Sequence, residues 1–337
     1  MTENTESPNT GAPLDVVGIG NAIVDVISPV DEAFLVEHEL VKGAMGLIDA
    51  DRADLLYAAM PPAAETSGGS VANTIAGIAS FGGSAGFVGK VRDDQLGAIF
   101  THDITSMGIA FQAAPATEGP STARCLIVVT PDAERTLNTY LGTAGQLGPA
   151  DVDETLVMRG QVVLAEGYLW DVPSAKDAIV KAMDHARAAG NRVALSLSDS
   201  FCVDRYRDEF RSLVAERVDV LFANEAEITS LYEVETFEEA RDLVRGHCEI
   251  ACLTRGEKGS LIVAADGEHQ IDIHHLGPVV DTTGAGDLYA AGFLHGLTTG
   301  QPLDRCGRLA AMAAGEVISH YGARPEASLA ELARTLD

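Results

Sequence analysis

A run of small residues that ends in an acid lies in the last fifth of the chain, where residues 281–287 read DTTGAGD. Small residues at 284–286 let the backbone approach a ligand, and the amides at the start of a helix attract anions. Asp287 would stand in the first turn of that helix. A carboxylate beside an anion hole suits phosphoryl transfer to a hydroxyl, since the amides hold the transferring group and the acid takes the proton. The alternative is a glycine-rich turn in which Asp287 only caps the helix.

A second motif, GIGNAIVDV at 18–26, places Asn21 and Asp25 in an otherwise apolar stretch. One carboxylate can accept hydrogen bonds from two neighbouring sugar hydroxyls, and an amide adds a donor and an acceptor. The two glycines of this motif also suggest a dinucleotide-binding fingerprint, but Ile23 stands where the third glycine belongs. We therefore interpret the motif as a sugar-hydroxyl site; the alternative is that Asp25 faces solvent on an edge strand.

A third motif, SGGSVANTIAGIASFGG at 67–83, opens a predicted helix with Gly68 and Gly69 and places Asn73 in its first turns. The glycines permit close backbone approach, and the start of the helix offers donors to a sugar oxygen. Taken alone, the pattern also fits a linker or a helix cap.

Two further patterns indicate residues that could bind a nucleotide, and these are called the nucleotide side. Asn224 and Glu227 follow a strand at a spacing that suits water held around the Mg²⁺ of a triphosphate, and the same spacing fits a helix capping box. Thr254, Gly256 and Gly259 lie in LTRGEKGSLIV, which as a bare pattern is a turn between two strands.

The elements that must position these residues alternate between strands and helices, which predicts an α/β fold with a doubly wound, mainly parallel sheet flanked by helices. Ligands of such sheets bind beyond the carboxyl ends of the strands, where the motifs lie. The predicted strands are 14–20, 162–169, 192–198, 218–224 and 250–256. The predicted helices are 71–81, 94–107, 174–189, 204–216, 225–231, 237–246, 286–299 and 303–320.

Two segments, about 21–48 and 109–140, break this rhythm and are rich in Thr, Val and Ile with turn signals at Pro120 and Pro131. They predict a small inserted β-sheet that forms a lid. Residues 14–337 are then one domain, and residues 1–13 are expected to be a disordered tail.

Composition excludes several classes of protein. The formal net charge of −27 argues against a nucleic-acid partner, and it leaves backbone amides to hold much of any bound phosphate. No stretch has the roughly 18 consecutive apolar residues of a membrane span, and the first thirteen residues lack a signal-peptide pattern. We therefore expect a cytoplasmic protein. The five cysteines include no CxxC pair, so we expect buried thiols rather than a disulfide framework or a zinc site.

Taken in this order, the motifs resemble those of the ribokinase-like (PfkB) carbohydrate and nucleoside kinases, over about residues 14–325. The resemblance implies ATP with Mg²⁺ as the phosphate donor. It makes Asp287 the catalytic base and the backbone of Gly284, Ala285 and Gly286 the anion hole. On the acceptor side it implies that Asp25 and Asn73 contact the substrate.

On the nucleotide side the resemblance gives Glu227 a water-mediated contact with Mg²⁺ and brings the loop of Thr254 close to ATP. Members often carry an asparagine beside the adenine, and here that position is Ala311. Some members bind a monovalent cation such as K⁺, and the corresponding residues here are Asp281, Thr283 and Gly322. Lid sheets of the family sometimes pair, so we expect a monomer or a homodimer.

Three segments, at 20–25, 134–144 and 194–201, are most similar to the adenosine kinase branch. We therefore expect transfer to the 5′ hydroxyl of a nucleoside, with a free pentose or another sugar as the alternative. Tyr168 and Trp170 either stack on the purine or belong to the core, and Arg135 of the lid would cover the phosphates. A non-catalytic sensor on the same scaffold is disfavoured by the intact Asp287, and an NAD-dependent oxidoreductase by Ile23.

Overall fold

Short strands that are buried along nearly their whole length form the centre of the molecule in a computed structural model, which describes residues 11–132 and 134–336. All five predicted strands are present, although β8 ends at Glu166 and the aromatic residues after it form a short 3₁₀ turn. The strands are β1 Leu14–Ile19, β2 Ile23–Pro29, β3 Met45–Leu47, β4 Ala64–Gly68, β5 Ala85–Val88, β6 Ala123–Val129, β7 Arg135–Tyr140, β8 Gly160–Glu166, β9 Arg192–Ser196, β10 Val220–Asn224, β11 Ile250–Thr254, β12 Ser260–Ala264 and β13 Gly267–Ile271.

The helices follow the amphipathic patterns of the sequence, and all eight predicted helices are present. They are α1 Glu32–Glu37, α2 Ala50–Ala59, α3 Ser70–Ser80, α4 Gln95–Ser106, α5 Glu154–Arg159, α6 Pro173–Ala188, α7 Ser200–Glu216, α8 Glu225–Tyr232, α9 Phe237–Val244, α10 Ala285–Thr298, α11 Leu303–Val317 and α12 Leu329–Ala333.

The main sheet has eight strands in the order β13-β12-β11-β10-β9-β8-β1-β5. The strands from β11 to β5 are parallel to one another, and β12 and β13 extend the sheet as antiparallel strands. Side chains alternate between two hydrophobic cores, so Val162 packs on the side of α3, α10 and α11 while Val163 packs on the side of α6 and α7. Helices on both faces confirm the predicted doubly wound α/β architecture.

A second sheet of five strands has the order β3-β7-β6-β2-β4, which confirms the small inserted sheet. Its composition differs in part from the prediction. Strand β4 comes from outside both predicted segments, because AETSG has no run of apolar residues to reveal it. Helix α1 lies within segment 21–48, and with six residues it is too short to display a helical period. Helix α2, which follows it, was also missed, and Asp49 caps its first turn.

The two sheets meet where β1 ends, since only Gly20–Ala22 separate β1 from β2. Strands β8, β10 and β11 end at the same edge with Glu166, Asn224 and Thr254. The fold therefore gathers polar side chains from both sheets into one cleft.

Two expectations from composition can be compared with the fold. Cys125, Cys202, Cys252 and Cys306 are buried free thiols, as expected, and Cys248 is a half-buried one. No helix within residues 11–132 and 134–336 is both long enough and apolar enough to cross a membrane. The expected tail falls largely on residues 1–10, which lie outside the described residues.

Candidate active site

A cavity of about 530 Å³ opens between the two sheets, at the carboxyl edge of the main one. Most of the residues singled out in the sequence line it. From the acceptor side these are Asn21, Asp25, Gly69, Asn73 and Tyr168, from the nucleotide side Asn224, Glu227 and Thr254, and from the DTTGAGD motif Thr283, Gly284, Ala285, Gly286 and Asp287.

The turn that was predicted to bind an anion lies at the start of α10. Gly284 caps the helix with a φ of +79°, and a Cβ added to it would lie 2.8 Å from the backbone of Ala323, so the position requires glycine. The amide of Ala285, which was expected in the anion hole, instead donates to the carbonyl of Thr282 at 3.2 Å. The amides of Gly284, Gly286 and Asp287 have no hydrogen-bond partner among the described residues. Three donors at a helix N-terminus are thus available to an anion.

Asp287 is held by two side chains from the start of α3. Its Oδ1 accepts a hydrogen bond from Ser70 Oγ at 2.6 Å, and its Oδ2 accepts one from Asn73 Nδ2 at 3.1 Å. Burial raises the pKa of the carboxyl, while the bonds from Ser70 and Asn73 and the charge of Arg324 act to lower it. The carboxylate is fixed in direction and lies beside the free amides, as proton abstraction next to a phosphoryl group requires.

Asp25 faces the same cavity from β2 of the second sheet. A Cβ on Gly68 would collide with its carboxyl, so the glycine provides the room that this side chain needs. Burial raises the pKa of Asp25 to about 6; Arg324 and Arg135 lower it, and Asp287 raises it further. No side-chain hydrogen bond of Asp25 is formed within the described part of the chain, so both carboxyl oxygens are available to a ligand.

Glu166, at the end of β8, is a site residue that the sequence analysis did not single out. It is 1% exposed, and it accepts hydrogen bonds from Asn21 N at 2.8 Å, Asn21 Nδ2 at 2.6 Å and Val71 N at 3.0 Å. Burial raises its pKa to about 7 despite these bonds. The one feature of the sequence that could have indicated Glu166 is its position as the only acid at the end of the apolar run VVLAE. Glu166 joins the two acceptor-side motifs and fixes the amide of Asn21.

Asn224 and Glu227 form a capping box at the start of α8. Asn224 N donates to Glu227 Oε2 at 3.0 Å, and Glu227 N donates to Asn224 Oδ1 at 2.9 Å. Both side chains line the cavity. Their role in capping α8 therefore does not exclude the predicted role of ordering water around Mg²⁺. Burial raises the pKa of Glu227 to about 7.

Direct binding of Mg²⁺ by a protein needs several oxygen ligands close together. The described residues contain no group of three or more His, Cys, Asp or Glu side chains that could hold a metal ion. On the predicted nucleotide side, the buried carboxylate of Glu227 fits an ion that ATP brings with it and that reaches the protein through water, because Mg²⁺ keeps most of its waters.

The remaining nucleotide-side residues are spread over a wider region. Thr254 lines the cavity, whereas Gly256 and Gly259 flank a 3₁₀ turn behind it. Arg255 is engaged elsewhere, since it pairs with Glu225 at 3.1 Å and its guanidinium lies over the ring of Phe237. Ala311 is separate as well, and it lines another depression together with residues of β13 and the segment that follows it. A contact between Ala311 and adenine stays a prediction.

Asp281, Thr283 and Gly322 do lie together, but they surround the carboxylate with donors. Oδ1 of Asp281 accepts from Thr283 N at 3.0 Å and Thr283 Oγ1 at 2.7 Å, and Oδ2 accepts from Gly322 N at 3.0 Å and pairs with Arg135. Burial acts to raise the pKa of Asp281, and these bonds together lower it. A cation needs oxygen acceptors; here both oxygens face donors and a guanidinium, so this arrangement does not fit K⁺.

Aromatic and apolar side chains form the rest of the wall. Tyr168 lines the cavity and donates from its hydroxyl to Ser198 O at 3.2 Å, whereas Trp170 packs on Phe210 in the core. Three exposed apolar side chains that the sequence did not reveal also line the cavity; they are Met45 (52% exposed), Leu47 (61%) and Phe201 (73%).

The chain is similar to known kinases in sequence and in fold. The model of the family described as "pfkB family carbohydrate kinase" matches residues 57–329. The crystal structure of an adenosine kinase from Sinorhizobium meliloti is 52% identical, covers 97% of this chain and 100% of its own, and superposes with a TM-score of 0.89. A probable sugar kinase from Rhizobium etli CFN 42 is 48% identical, covers 96% and 99%, and also gives 0.89. The 5-dehydro-2-deoxygluconokinase of Geobacillus kaustophilus is 28% identical over 75% of this chain and 79% of its own.

Proposed function

The chain belongs to the pfkB family of carbohydrate kinases, and we propose that it transfers the γ-phosphate of ATP to the primary hydroxyl of a nucleoside. One observation carries the catalytic part of the proposal. Asp287, oriented by Ser70 and Asn73, lies in the first turn of α10, directly beside the free amides of that turn. A base and an anion hole in adjacent positions provide the two functions that this transfer requires.

The proposed reaction proceeds in one displacement. Asp287 accepts the proton as the O–H bond of the acceptor hydroxyl breaks, and the freed oxygen forms a bond to the γ-phosphorus. The bond between the γ-phosphorus and the β–γ bridging oxygen breaks, and ADP leaves with that electron pair. The amides of Gly284, Gly286 and Asp287 hold the phosphoryl oxygens while their charge develops.

Magnesium bound to ATP would neutralise part of the triphosphate charge, with Asn224 and Glu227 ordering its water. With only 23 Lys and Arg against 50 Asp and Glu, the chain depends on such backbone and metal contacts for the phosphates. In this proposal Mg²⁺ contacts ATP directly and the protein only through water.

On the acceptor side, Asn21 and Asp25 would hold the sugar hydroxyls, and the exposed apolar wall would receive the base. Met45, Leu47 and Phe201 provide apolar area that free sugars do not need, and Tyr168 adds an aromatic face. The likeness to the adenosine kinase of Sinorhizobium meliloti supports a purine nucleoside.

A sugar acceptor is the second candidate. It is favoured by the similarity to 5-dehydro-2-deoxygluconokinases and to the probable sugar kinase of Rhizobium etli CFN 42. Asp25 and Asn21 would serve this acceptor equally, since their proposed contacts are with hydroxyl groups.

The test is ADP release with Mg·ATP and a panel of adenosine, guanosine, uridine, ribose, fructose and 5-dehydro-2-deoxygluconate. We expect the highest kcat/KM with adenosine, and a 5′-monophosphate identified by phosphorus NMR. A higher kcat/KM with any of the sugars would overturn the nucleoside assignment. Acceptor-dependent ADP release from none of the compounds would count against the proposal as a whole. The cytoplasmic location and the monomeric or homodimeric state stay predictions.

A further inference from the structure

Arg324 lies in the turn after α11, and its guanidinium contacts Asn73, which in turn contacts the proposed base. Its Nε donates to Asn73 Oδ1 at 3.1 Å, and its Nη1 lies 3.7 Å from the sulfur of Met107. Its Nη2 is buried without a hydrogen-bond partner in the described part of the chain. Within the same residues no carboxylate comes within the 4.0 Å of an ion pair.

Such a group is costly to the fold. Arg324 is half-buried, and its Nη2 is removed from water with neither a hydrogen-bond partner nor a paired carboxylate among the described residues, so this nitrogen loses hydration that it does not regain. Burial accordingly lowers the pKa of Arg324 to about 10, while Asp25, Asp103 and Asp287 act in the opposite direction from a distance. Stability does not explain a group with this cost and one good hydrogen bond. Arg324 lines a depression that adjoins the cavity and shares Asp25 and Thr283 with it, so a role in the site is the better explanation.

The hydrogen bonds of Asn73 show what that role is. An amide has a donor end and an acceptor end, and a guanidinium can only donate. The contact with Arg324 therefore fixes the carbonyl end of Asn73, and the NH₂ end must point to Asp287. With the amide reversed, its NH₂ group would face a guanidinium and its carbonyl oxygen would face a carboxylate.

We infer that Arg324 is a positioning residue for the proposed reaction: it orients the Asn73 amide toward Asp287 and supplies the positive charge that balances Asp25 and Asp287. The inference rests on the proposed role of Asp287 as base. Other charged groups from the surrounding elements act on Arg324, Asp25 and Asp287. They are Asp103 from α4, Arg135 from β7 and Glu166 from β8.

The test compares Arg324→Met and Arg324→Lys with the exposed control Arg334→Met, in the full-length protein with saturating acceptor. The acid limb of the kcat profile reports the base in the complex. For Arg324→Met we expect this limb to move up by about one pH unit, because the nearby positive charge is gone. We expect kcat at pH 7 to fall about 10- to 100-fold, and thermal stability without ligands to stay level or rise. In Arg324→Lys the acid limb should return part of the way toward its native position, since lysine keeps the positive charge but lacks the planar guanidinium group.

A double mutant separates orientation from general damage. If Arg324 acts through Asn73, then Arg324→Met added to Asn73→Ala lowers kcat by less than it does in the native chain. Fully additive losses, or an acid limb that stays in place in Arg324→Met, would overturn the inference even where stability falls. Wild-type protein without acceptor-dependent turnover would instead overturn the proposed function, so the two failures are distinct.

Discussion

Asn73 donates to the carboxylate of Asp287 at 3.1 Å, although the two residues are 214 positions apart in the chain. The contact joins the first turn of α3 to the first turn of α10. Close packing of these helices makes it possible, because a Cβ on Gly77 would lie 2.6 Å from Ala291 and 2.8 Å from Leu288. The motif at 67–83, which on its own also fits a linker, thus helps to orient the proposed base through Asn73.

Replacing the base should separate binding from turnover. In Asp287→Asn the side chain keeps its shape and loses its proton affinity, so we expect kcat to fall about 10²–10⁴-fold. The affinity for ATP should change little, because the amides of α10 remain. Steady-state ADP release and ATP titration calorimetry measure the two effects. The matched control is Asp208→Asn, whose side chain is 99% exposed; near-native turnover in both variants would remove Asp287 from the reaction.

Asp25→Ala should impair the acceptor and spare the nucleotide. Hydrogen bonds to charged groups contribute about 1.5–3 kcal/mol, so the acceptor KM should rise roughly 10- to 100-fold. The KM of ATP should stay within about threefold, because Asp25 belongs to the second sheet and not to the nucleotide side. Initial rates with each substrate varied in turn provide the measurement. An unchanged acceptor KM would exclude Asp25 from the sugar site.

Phe201→Ser distinguishes a nucleoside from a sugar. Burying a large apolar side chain against a ligand contributes about 1.5–3 kcal/mol, so the KM of adenosine should rise about 10-fold or more. The KM of ribose, if ribose is phosphorylated at all, should not change. Because Phe201 is 73% exposed, the fold should be unaffected. Equal effects on both acceptors would argue against a base-binding wall.

Stability of the protein without ligands should fall as pH rises from 5.5 to about 7 and level off by pH 8. Burial raises the pKa of Asp25 from 3.8 to about 6, and those of Glu166 and Glu227 from 4.5 to about 7. Between these limits the folded protein holds protons that the unfolded chain has released, so the stabilisation is complete at low pH and is lost through pH 6–7. His295, whose pKa burial lowers, acts in the opposite direction. Thermal unfolding across this range gives the slope.

Glu166→Gln is the control for that slope. It removes one of the titrating groups, so melting temperature should depend less on pH than in the native chain. The variant should also be less stable by about 1–3 kcal/mol at low pH, because one amide hydrogen of Gln faces the N–H of Val71. An unaltered pH dependence would show that Glu166 titrates normally.

Activity should not require a potassium ion. The guanidinium of Arg135, 7% exposed, already pairs with Asp281, and the remaining contacts of that carboxylate are donors. Replacing K⁺ by tetramethylammonium at constant ionic strength should change kcat/KM by less than about twofold, whereas exchange of a required ion would cost far more. A strong dependence on K⁺ would mean that Arg135 leaves Asp281 during the reaction.

The layers of the fold could be predicted because β8 and its neighbours are buried apolar runs and α6 and α7 are long amphipathic patterns. Strand β4 and helices α1 and α2 could not, since they depend on tertiary contacts and caps such as Asp49 rather than on periodicity. Asp287 was recognisable from its small neighbours. Glu166 and Arg324 were not, because a lone charged residue has no pattern and acquires its role only from the partners that the fold brings to it.

The bond between Gly322 and Asp281 bears on how the protein reaches its working form. The loop before α10 is held from both sides, by Arg135 of the second sheet and by a residue that follows α11. Contacts so distant along the chain close large loops and form late, which slows folding. The turn before α10, which is proposed to bind phosphate, therefore gains all of its contacts only after residue 322 has been synthesised and docked. A nascent chain that stops short of residue 322 lacks the backbone donor that helps to hold Asp281 in the finished structure.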